Sequence, residues 1–349
     1  MSHRPVRLID IAKQLGISVS TVSRALHGYS DISAETKRAV VALADELQYR
    51  PNPIAQNLRN QESKILGVMI PEIVHHFFSS VIGGIMEVAD QHGYTVMLCQ
   101  SNEREAREKK DAAMLLNSRV DGVLVSLSDT TRSFEHLRAF IARDTPILML
   151  DKVTDEVTAS KVLIDDVQGG FLATEHLIQQ GCSRVAHIRG PHGPVTTDGR
   201  MAGYRQALLK YGLPFDPNLV KTCERVTKEA GMVLMAELMQ LDHPPDGLFA
   251  VTDLAAIGAM VHLKRLGCSI PDDVAIIGFS DWDMASIMEP PLSSVFQPGF
   301  EMGRMATTVL IDEIRAMRKE QPLPPQIRIL NTQLRIRASS KRRRTNDLA

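Results

Sequence analysis

The sequence predicts two parts of different fold class, an all-α head within the first 50 residues and a larger α/β part built of parallel sheets in two lobes. Helical periodicity on both sides of a tight turn at Gly16 predicts the head. Alternation of short apolar strands with amphipathic helices, in two successive series from residue 63 onward, predicts the larger part. The chain has 349 residues, enough for several domains. Its apolar runs stay below the roughly 18 residues that a membrane span needs.

The head begins with two short helices. Apolar residues recur at helical spacing over Leu8–Leu15, and Gly16 is expected to end that helix in the left-handed conformation. Ser18 is the expected N-cap of the next helix, because its hydroxyl can accept from a free backbone N–H. In that second helix Val22 and Ala25 share one face and can pack on the first helix.

The opposite face of the second helix is polar, although hydroxyl side chains are poor helix formers. It consists of Val19, Ser20, Ser23, Arg24 and His27. Two helices crossed through a tight turn, the second with such a face, form a helix-turn-helix whose short side chains allow close approach to a DNA major groove. An ordinary capped helix pair with a solvated polar face is the alternative. Net charge does not distinguish these two interpretations, because the chain has 40 basic and 41 acidic residues.

A third helix and a short fourth segment complete this region. Ser33 is the expected N-cap of the third helix, which Tyr49 and Pro51 end. Asn52 then caps the segment 53–60, which has proline at its first position. A helix this short does not hold alone in water, so the segment would fold only against a symmetry mate or DNA.

The stretch LIDIAKQLGISVSTVSRALHG, followed by ISAETKRAVVALADELQYRPNPIAQNLR, resembles the DNA-binding head and hinge of the LacI/GalR family of bacterial repressors. The resemblance implies a homodimeric, ligand-responsive regulator, most simply a repressor of a carbohydrate-utilisation operon that binds a palindromic operator. An activator or dual regulator would share these residues. A sugar-modifying α/β enzyme with a DNA-binding appendage is a further alternative.

The resemblance also implies roles for individual head residues. Val19, Ser20 and Arg24 would read bases, and Leu58 would enter a central minor-groove step and kink the duplex. Leu58 could equally be a dimer contact. The residues implied to contact phosphates are Thr21, Ser23, Ser33 and Tyr49. The complete DNA-binding set is Leu8, Ser18, Val19, Ser20, Thr21, Ser23, Arg24, His27, Ser33, Thr36, Tyr49, Asn52, Ala55, Leu58 and Arg59.

The α/β part resembles, more loosely, the periplasmic-binding-protein-like core of the same family, in which a ligand lies between two lobes. The expected domains are a helix-turn-helix at 1–50, a hinge helix at 51–62, a ligand-binding and dimerisation core at 63–338 and a polar tail at 339–349. The N-lobe is expected at about 63–163 and 296–338, and the C-lobe at about 164–295. The last of three crossings is expected near residue 297. Dimerisation would bury faces that include helix 80–91.

Candidate pocket residues follow the predicted strands. Arg200 stands at the family's ligand-clamping arginine, whose planar guanidinium can hold paired hydroxyls or a carboxylate. Phe77 or Phe78 suits stacking on a sugar ring or base, and one of the two can be plain core. The family commonly has aspartate directly after GF, where this chain has Ser280 and then Asp281, and either could face the ligand. The candidate effector-binding residues are Phe77, Phe78, Asp165, Arg200, Asp253, Ser280, Asp281, Trp282 and Gln297.

Sequence signatures of enzymes and metal sites are not found. The glycine-rich segment 190–199 lacks the lysine and hydroxyl of a P-loop, and neither GxSxG nor HExxH occurs. We therefore expect no catalytic residue, metal or cofactor. The effector would be a sugar, a sugar derivative or a nucleoside, acting as inducer or corepressor. Four scattered cysteines and an N-terminus without a signal-peptide core predict a cytoplasmic protein.

Overall fold

The structure, a computed structural model, describes residues 6–49, 62–73 and 76–342. The chain divides into two compact units, Met1–Ser63 and Lys64–Ala349. Most of the predicted hinge, 51–61, and the end of the predicted tail, 343–349, lie outside the described residues.

The described part of the first unit folds as the helical periodicity predicts. Its helices are α1 (Leu8–Leu15), α2 (Val19–Leu26) and α3 (Ala34–Glu46). Gly16 follows α1 with a φ of 66°, the left-handed conformation expected of a glycine at a helix end. Two residues from each helix form a small apolar core, made of Ile11, Ala12, Val22, Ala25, Val40 and Ala44.

The second unit contains two α/β lobes, each built on a six-stranded sheet. The strands are β1 (Ile65–Ile70), β2 (Thr95–Gln100), β3 (Gly122–Val125), β4 (Ile147–Leu150), β5 (Ser160–Ile164), β6 (Val185–Arg189), β7 (Val220–Thr222), β8 (Gly247–Ala250), β9 (Ala275–Ser280), β10 (Ser293–Phe296), β11 (Ile327–Leu330) and β12 (Gln333–Arg335). The helices are α4 (His76–Gln91), α5 (Glu105–Asn117), α6 (Glu135–Ile141), α7 (Asp166–Gln179), α8 (Val195–Lys210), α9 (Lys228–Met239), α10 (Asp253–Arg265), α11 (Asp283–Ile287) and α12 (Gly299–Arg318).

Helices cover the faces of both sheets, so the central strands β1, β3, β4, β8 and β9 are buried and mainly apolar. The N-lobe sheet has the order β11-β5-β4-β3-β1-β2 and is parallel throughout. The C-lobe sheet has the order β12-β10-β9-β8-β6-β7, and only the edge pair β10 and β12 is antiparallel. The strands β3 and β4 are buried at every residue.

The chain crosses between the lobes after β5, between β10 and α12, and between β11 and β12, so the crossing expected near residue 297 is the second and not the last. The predicted N-lobe limit at 338 is therefore wrong, because β12 pairs with β10 in the C-lobe sheet. The expectation of a polar tail from residue 339 also needs correction, since Ser339 and Ser340 are fully buried. With only three residues and partly exposed side chains, β12 has no apolar pattern that would reveal it in the sequence.

In the N-lobe, α4 and α12 pack at very short range. A Cβ atom added to Gly303 would lie 2.0 Å from the carbonyl oxygen of Val81, and one added to Gly84 would lie 2.0 Å from that of Phe300. Backbone atoms cannot move aside as a flexible side chain can. The two glycines therefore permit the approach of the two helices.

The substitution Gly303→Ala is expected to lower the free energy of unfolding by about 2 kcal/mol, because its methyl group forces α12 away from α4. Gly83→Ala is the matched control on α4. Its added Cβ would lie 3.5 Å from the Phe300 ring, an ordinary contact, so alanine should be neutral or slightly stabilising there. Urea unfolding of both variants measures the difference, and equal midpoints would contradict the expectation.

Candidate nucleic-acid interface and ligand cleft

The start of α2 is organised by its first hydroxyl group. Ser18 Oγ accepts a hydrogen bond from the backbone N of Thr21 at 3.0 Å, which confirms the predicted N-cap. The same oxygen lies 2.7 Å from Ser20 Oγ and 2.8 Å from Thr21 Oγ1. Ser33 caps α3 in the same manner, accepting from the backbone N of Thr36 at 3.1 Å.

The polar face of α2 lies on the surface of the head. Val22 and Ala25 point into the core, whereas the exposed residues of the face are Ser18, Val19, Ser20, Arg24 and His27. Thr21 and Ser23 are half-buried between the two sides. The face combines short side chains with a single long basic one, as close contact with base edges requires.

Arg24 has intramolecular partners in this structure. Its guanidinium pairs with Asp31 and lies 5.7 Å from the centre of the Tyr29 ring. The side chains of Arg24 and Asp31 are 48% and 45% exposed, and exposed ion pairs contribute little free energy. Arg24 can therefore exchange Asp31 for a phosphate or a guanine edge at low cost.

Other predicted DNA-binding residues contribute to the structure of the head itself. Leu8 and Tyr49 pack, partly buried, against the apolar core, and burial raises the pKa of the Tyr49 hydroxyl. His27 Nδ1 lies 2.6 Å from the carbonyl oxygen of Ser23 at the end of α2. The predicted contacts that lie outside the described residues are Asn52, Ala55, Leu58 and Arg59.

A cavity of about 590 Å³ lies between the two lobes of the second unit, where the carboxyl ends of parallel strands face each other. Its volume falls within the range of small-molecule sites. Six of the nine predicted effector residues line it, namely Phe77, Phe78, Arg200, Ser280, Trp282 and Gln297.

Arg200 is held rigidly at the wall of this cavity. Its Nε donates to Asp166 Oδ1 at 2.8 Å, and its Nη1 donates to the carbonyl oxygen of Val251 at 2.7 Å. The guanidinium carbon lies 3.7 Å from the centre of the Phe279 ring. Burial raises the pKa of Asp166 to about 6, against the opposing effect of the Arg200 charge. The guanidinium is thus held in one orientation at the cavity wall.

Asp151 and Lys152, which were not predicted from the sequence, also line the cavity. Lys152 Nζ pairs with Glu103 at 2.6 Å and with Asp129. Burial lowers the pKa of Lys152, but these two carboxylates outweigh it, and the net effect is a raised pKa. The signal was present in the sequence, because Asp151 directly follows the apolar run TPILML at 145–150.

Burial raises the pKa of Asp151 to about 7. This net pKa includes the charges of Lys152 and Arg200, which oppose the effect of burial, and those of Asp166 and Glu103, which add to it. The Asp151 carboxylate therefore changes its charge near neutral pH at the wall of the cavity.

Three predicted ligand contacts are corrected by the structure, because Asp165, Asp253 and Asp281 do not line the cavity. Asp165 caps α7, accepting from the backbone N of Gln168 at 2.8 Å. Asp253 is fully buried and accepts from Ser294 Oγ at 2.5 Å and from the backbone N of Trp282 at 2.7 Å.

The two neighbouring candidates after β9 are separated by the structure. The Asp281 carboxylate binds Arg335 and Arg337, and Asp281 is not among the residues that line the cavity. Ser280 lines the cavity and donates its hydroxyl to Gln297 Oε1 at 2.7 Å. Ser280, not Asp281, is thus the residue of this pair that faces the cavity.

The two phenylalanines combine both predicted roles. Phe77 and Phe78 line the cavity and also belong to the apolar core of the unit. Their ring centres are 5.2 Å apart in an edge-to-face arrangement. Among residues 6–49, 62–73 and 76–342, no group of three or more His, Cys, Asp or Glu residues could hold a metal ion.

Family models match both units. The model of bacterial regulatory proteins of the lacI family matches residues 7–52, and the model of periplasmic binding proteins and the sugar binding domain of the LacI family matches residues 63–334. The chain belongs to the LacI family. As a member of this family, the protein is a ligand-responsive, DNA-binding transcriptional regulator and not an enzyme.

Whole-chain relatives agree with the family models. The chain is 32% identical over 334 residues to the HTH-type transcriptional repressor CytR of Escherichia coli (strain K12), with 95% of each chain covered. It is 33% identical over 332 residues to the ribose operon repressor of Halalkalibacterium halodurans, with 95% of this chain and 96% of the relative covered.

A solved LacI-family structure is also similar over nearly the whole chain. It is the lac repressor dimer bound to operator and the anti-inducer ONPF, with a TM-score of 0.83 at 25% identity. The similarity covers 97% of this chain and 99% of that one. In the part of the LacI-family chain that the structure describes, no helix has the length and apolar character to cross a membrane.

Proposed function

We propose that the protein is a dimeric repressor of an operon for the use of a sugar or nucleoside, and that its effector binds in the cavity between the lobes. The observation that carries the proposal is the cavity of about 590 Å³ in which Arg200 and Asp151 meet aromatic side chains. Rings such as sugars present apolar faces and a rim of hydroxyls. Phe77 and Trp282 suit the faces, whereas Arg200 and Asp151 suit the hydroxyls.

The names of relatives support the same chemical class. One relative is a ribose operon repressor, and a similar solved structure is the complex of the regulator CelR with cellobiose. The cavity volume suits a monosaccharide, a disaccharide or a nucleoside. Binding there would bias the arrangement of the lobes and so alter the affinity of the protein for its operator.

A ligand panel tests this proposal. Isothermal titration of the full-length protein with ribose, cellobiose, glucose, adenosine and cytidine should identify a binder. Saturation with that compound should change operator affinity about 5- to 150-fold in either direction. Operator DNA is first obtained by selection from random duplexes. Absence of binding by all five compounds would overturn the effector class, and unchanged operator affinity on saturation would overturn the coupling.

We propose further that two heads bind the two halves of a palindromic operator, because a two-fold symmetric dimer requires a two-fold symmetric site. The exposed face of α2 would enter the major groove, and α4 would contribute to the dimer interface. A cytoplasmic location is supported by the four cysteines Cys99, Cys182, Cys223 and Cys268, all of which are free thiols.

Arg24→Ala is expected to weaken binding to the selected operator by about 1–3 kcal/mol, the free energy of one good bidentate contact. A loss confined to the operator indicates base reading, and an equal loss on random DNA indicates a phosphate contact. Arg38→Ala is the control, because Arg38 is exposed on α3 and donates its Nε to the carbonyl oxygen of Ala34. Fluorescence anisotropy measures both variants. Equal affinities of Arg24→Ala and wild type would exclude α2 as the contact surface.

A further inference from the structure

We propose that the C-terminal strap, residues 333–342, fixes the position of the ligand-facing loop Ser280–Trp282, and that Asp281 is the positioning residue that joins them. The inference rests on the proposed function, since it concerns the same cavity. Ser280 and Trp282 line that cavity, whereas Asp281 between them does not. The strap would therefore set effector affinity without touching the effector.

The strap holds the Asp281 side chain through two arginines. Arg335 Nη1 donates to Asp281 Oδ2 at 2.6 Å, and Arg337 Nη1 donates to Asp281 Oδ1 at 2.6 Å. The Asp281 side chain is only 1% exposed, so its carboxylate is shielded from water. Arg337 Nη1 also donates to the carbonyl oxygen of Leu292 at 2.7 Å. Each carboxylate oxygen thus has its own cationic donor, and rotation of the side chain would break both contacts.

The backbone of the loop needs such support. Ser280 has a φ of 105° and Asp281 a φ of 55°, positive values that residues other than glycine rarely adopt. Surrounding contacts must hold such residues in place. The backbone N of Asp281 donates to Ser294 Oγ at 3.0 Å, and that of Trp282 donates to Asp253 Oδ2 at 2.7 Å. These bonds fix the loop from the backbone side, and the two arginines fix it through Asp281.

The strap is itself firmly attached to the C-lobe. Its first residues form β12, the edge strand beside β10. Ser339 Oγ donates to the carbonyl oxygen of Ile276 in β9 at 2.7 Å and accepts from the backbone N of Ser293 at 2.8 Å. Ser340 Oγ lies 2.7 Å from Ser293 Oγ and 3.0 Å from His176 Nε2. Arg335 and Arg337 therefore project from a rigid base.

The protein has a built-in reporter for this loop, because Trp282 is its only tryptophan. In the double variant Arg335→Gln/Arg337→Gln, we expect red-shifted Trp282 emission and stronger quenching by acrylamide, without any ligand. The affinity for whichever compound of the five-member panel binds the wild type should fall about 10-fold, since a buried carboxylate loses its charged donors. Operator affinity without ligand should stay unchanged.

Three further variants separate positioning from general stability. Arg335→Gln alone removes a side chain that is 48% exposed on an edge strand, so it should fold and show the same changes to a lesser degree. Arg335→Lys restores a positive charge and should rescue part of the affinity. Arg315→Gln is the matched control, because Arg315 forms an exposed pair with Asp312 on α12 and should behave as wild type.

The outcomes distinguish this inference from the proposed function. Unchanged quenching in a folded Arg335→Gln protein overturns the inference, as does changed quenching with unchanged affinity for a bound panel compound. If the wild type binds none of the five compounds, the proposed effector class fails. The ligand-free quenching comparison then still decides whether the strap positions the loop.

Discussion

Arg200→Ala is expected to abolish the response of operator binding to the effector. The substitution removes the guanidinium at the cavity wall and leaves the buried Asp166 carboxylate and the Val251 carbonyl oxygen without their donor. Loss of one partner of a buried ion pair costs about 3–5 kcal/mol of folding free energy. We therefore expect a lower unfolding midpoint together with no detectable effector binding. Titration calorimetry and operator anisotropy with and without the effector measure the two effects.

Two further variants separate loss of binding from loss of folding. Arg200→Lys keeps a positive charge near Asp166 but lacks the planar fork, so it should fold and still bind the effector far more weakly. Arg205→Ala is the control on the same helix, α8. Arg205 is exposed and does not line the cavity, and its guanidinium carbon lies 4.4 Å from the centre of the Phe215 ring. An unchanged effector titration of Arg200→Ala would remove Arg200 from the site.

Effector affinity is expected to fall as the pH drops from 8 to 6, because Asp151 becomes protonated in this range. Burial raises the pKa of Asp151 to about 7. The ionised carboxylate accepts hydrogen bonds from ligand hydroxyls, and its protonated form accepts them more weakly. A hydrogen bond to a charged group contributes about 1.5–3 kcal/mol, so the affinity should change about 10-fold or more.

The stability of the ligand-free protein should change in the opposite direction. The pKa of Asp151 is about 7 in the folded protein and near 3.8 in the unfolded chain, so folding favours the neutral form. Above pH 7 the buried charge costs stability, and this cost is relieved as the pH falls from 7 towards 4. Asp166, with a pKa of about 6, contributes in the same sense at slightly lower pH.

Asp151→Asn tests the assignment of this titration. The variant should bind the effector about 10-fold more weakly at pH 8 and should lose most of the pH dependence of affinity. Asp155→Asn is the control, because the Asp155 side chain is fully exposed and pairs with Lys161 outside the cavity lining. If Asp151→Asn kept the wild-type pH profile, the titrating group would have to be another one, with Asp166 as the first candidate.

Much of the molecule was predictable from the sequence because it depends on neighbouring residues. Helix α1 has the predicted bounds Leu8–Leu15, and Ser18 and Ser33 cap their helices by bonds that span three residues. The buried parallel strands were visible as continuous apolar runs. Arg200 was found through its family motif, and the structure places it at the cavity.

The sequence by itself therefore determined the local elements, the family and the lobed architecture, since caps, helical periodicity and apolar runs act over a few residues. Only the tertiary structure decided which carboxylates face the cavity. Asp281 is satisfied by arginines 54 and 56 residues away, and Asp253 by a serine 41 residues away. Asp151 has the same position after a strand, yet it reaches the cavity. The pKa and orientation of a carboxylate depend on the groups that folding brings next to it, and those groups are distant in sequence.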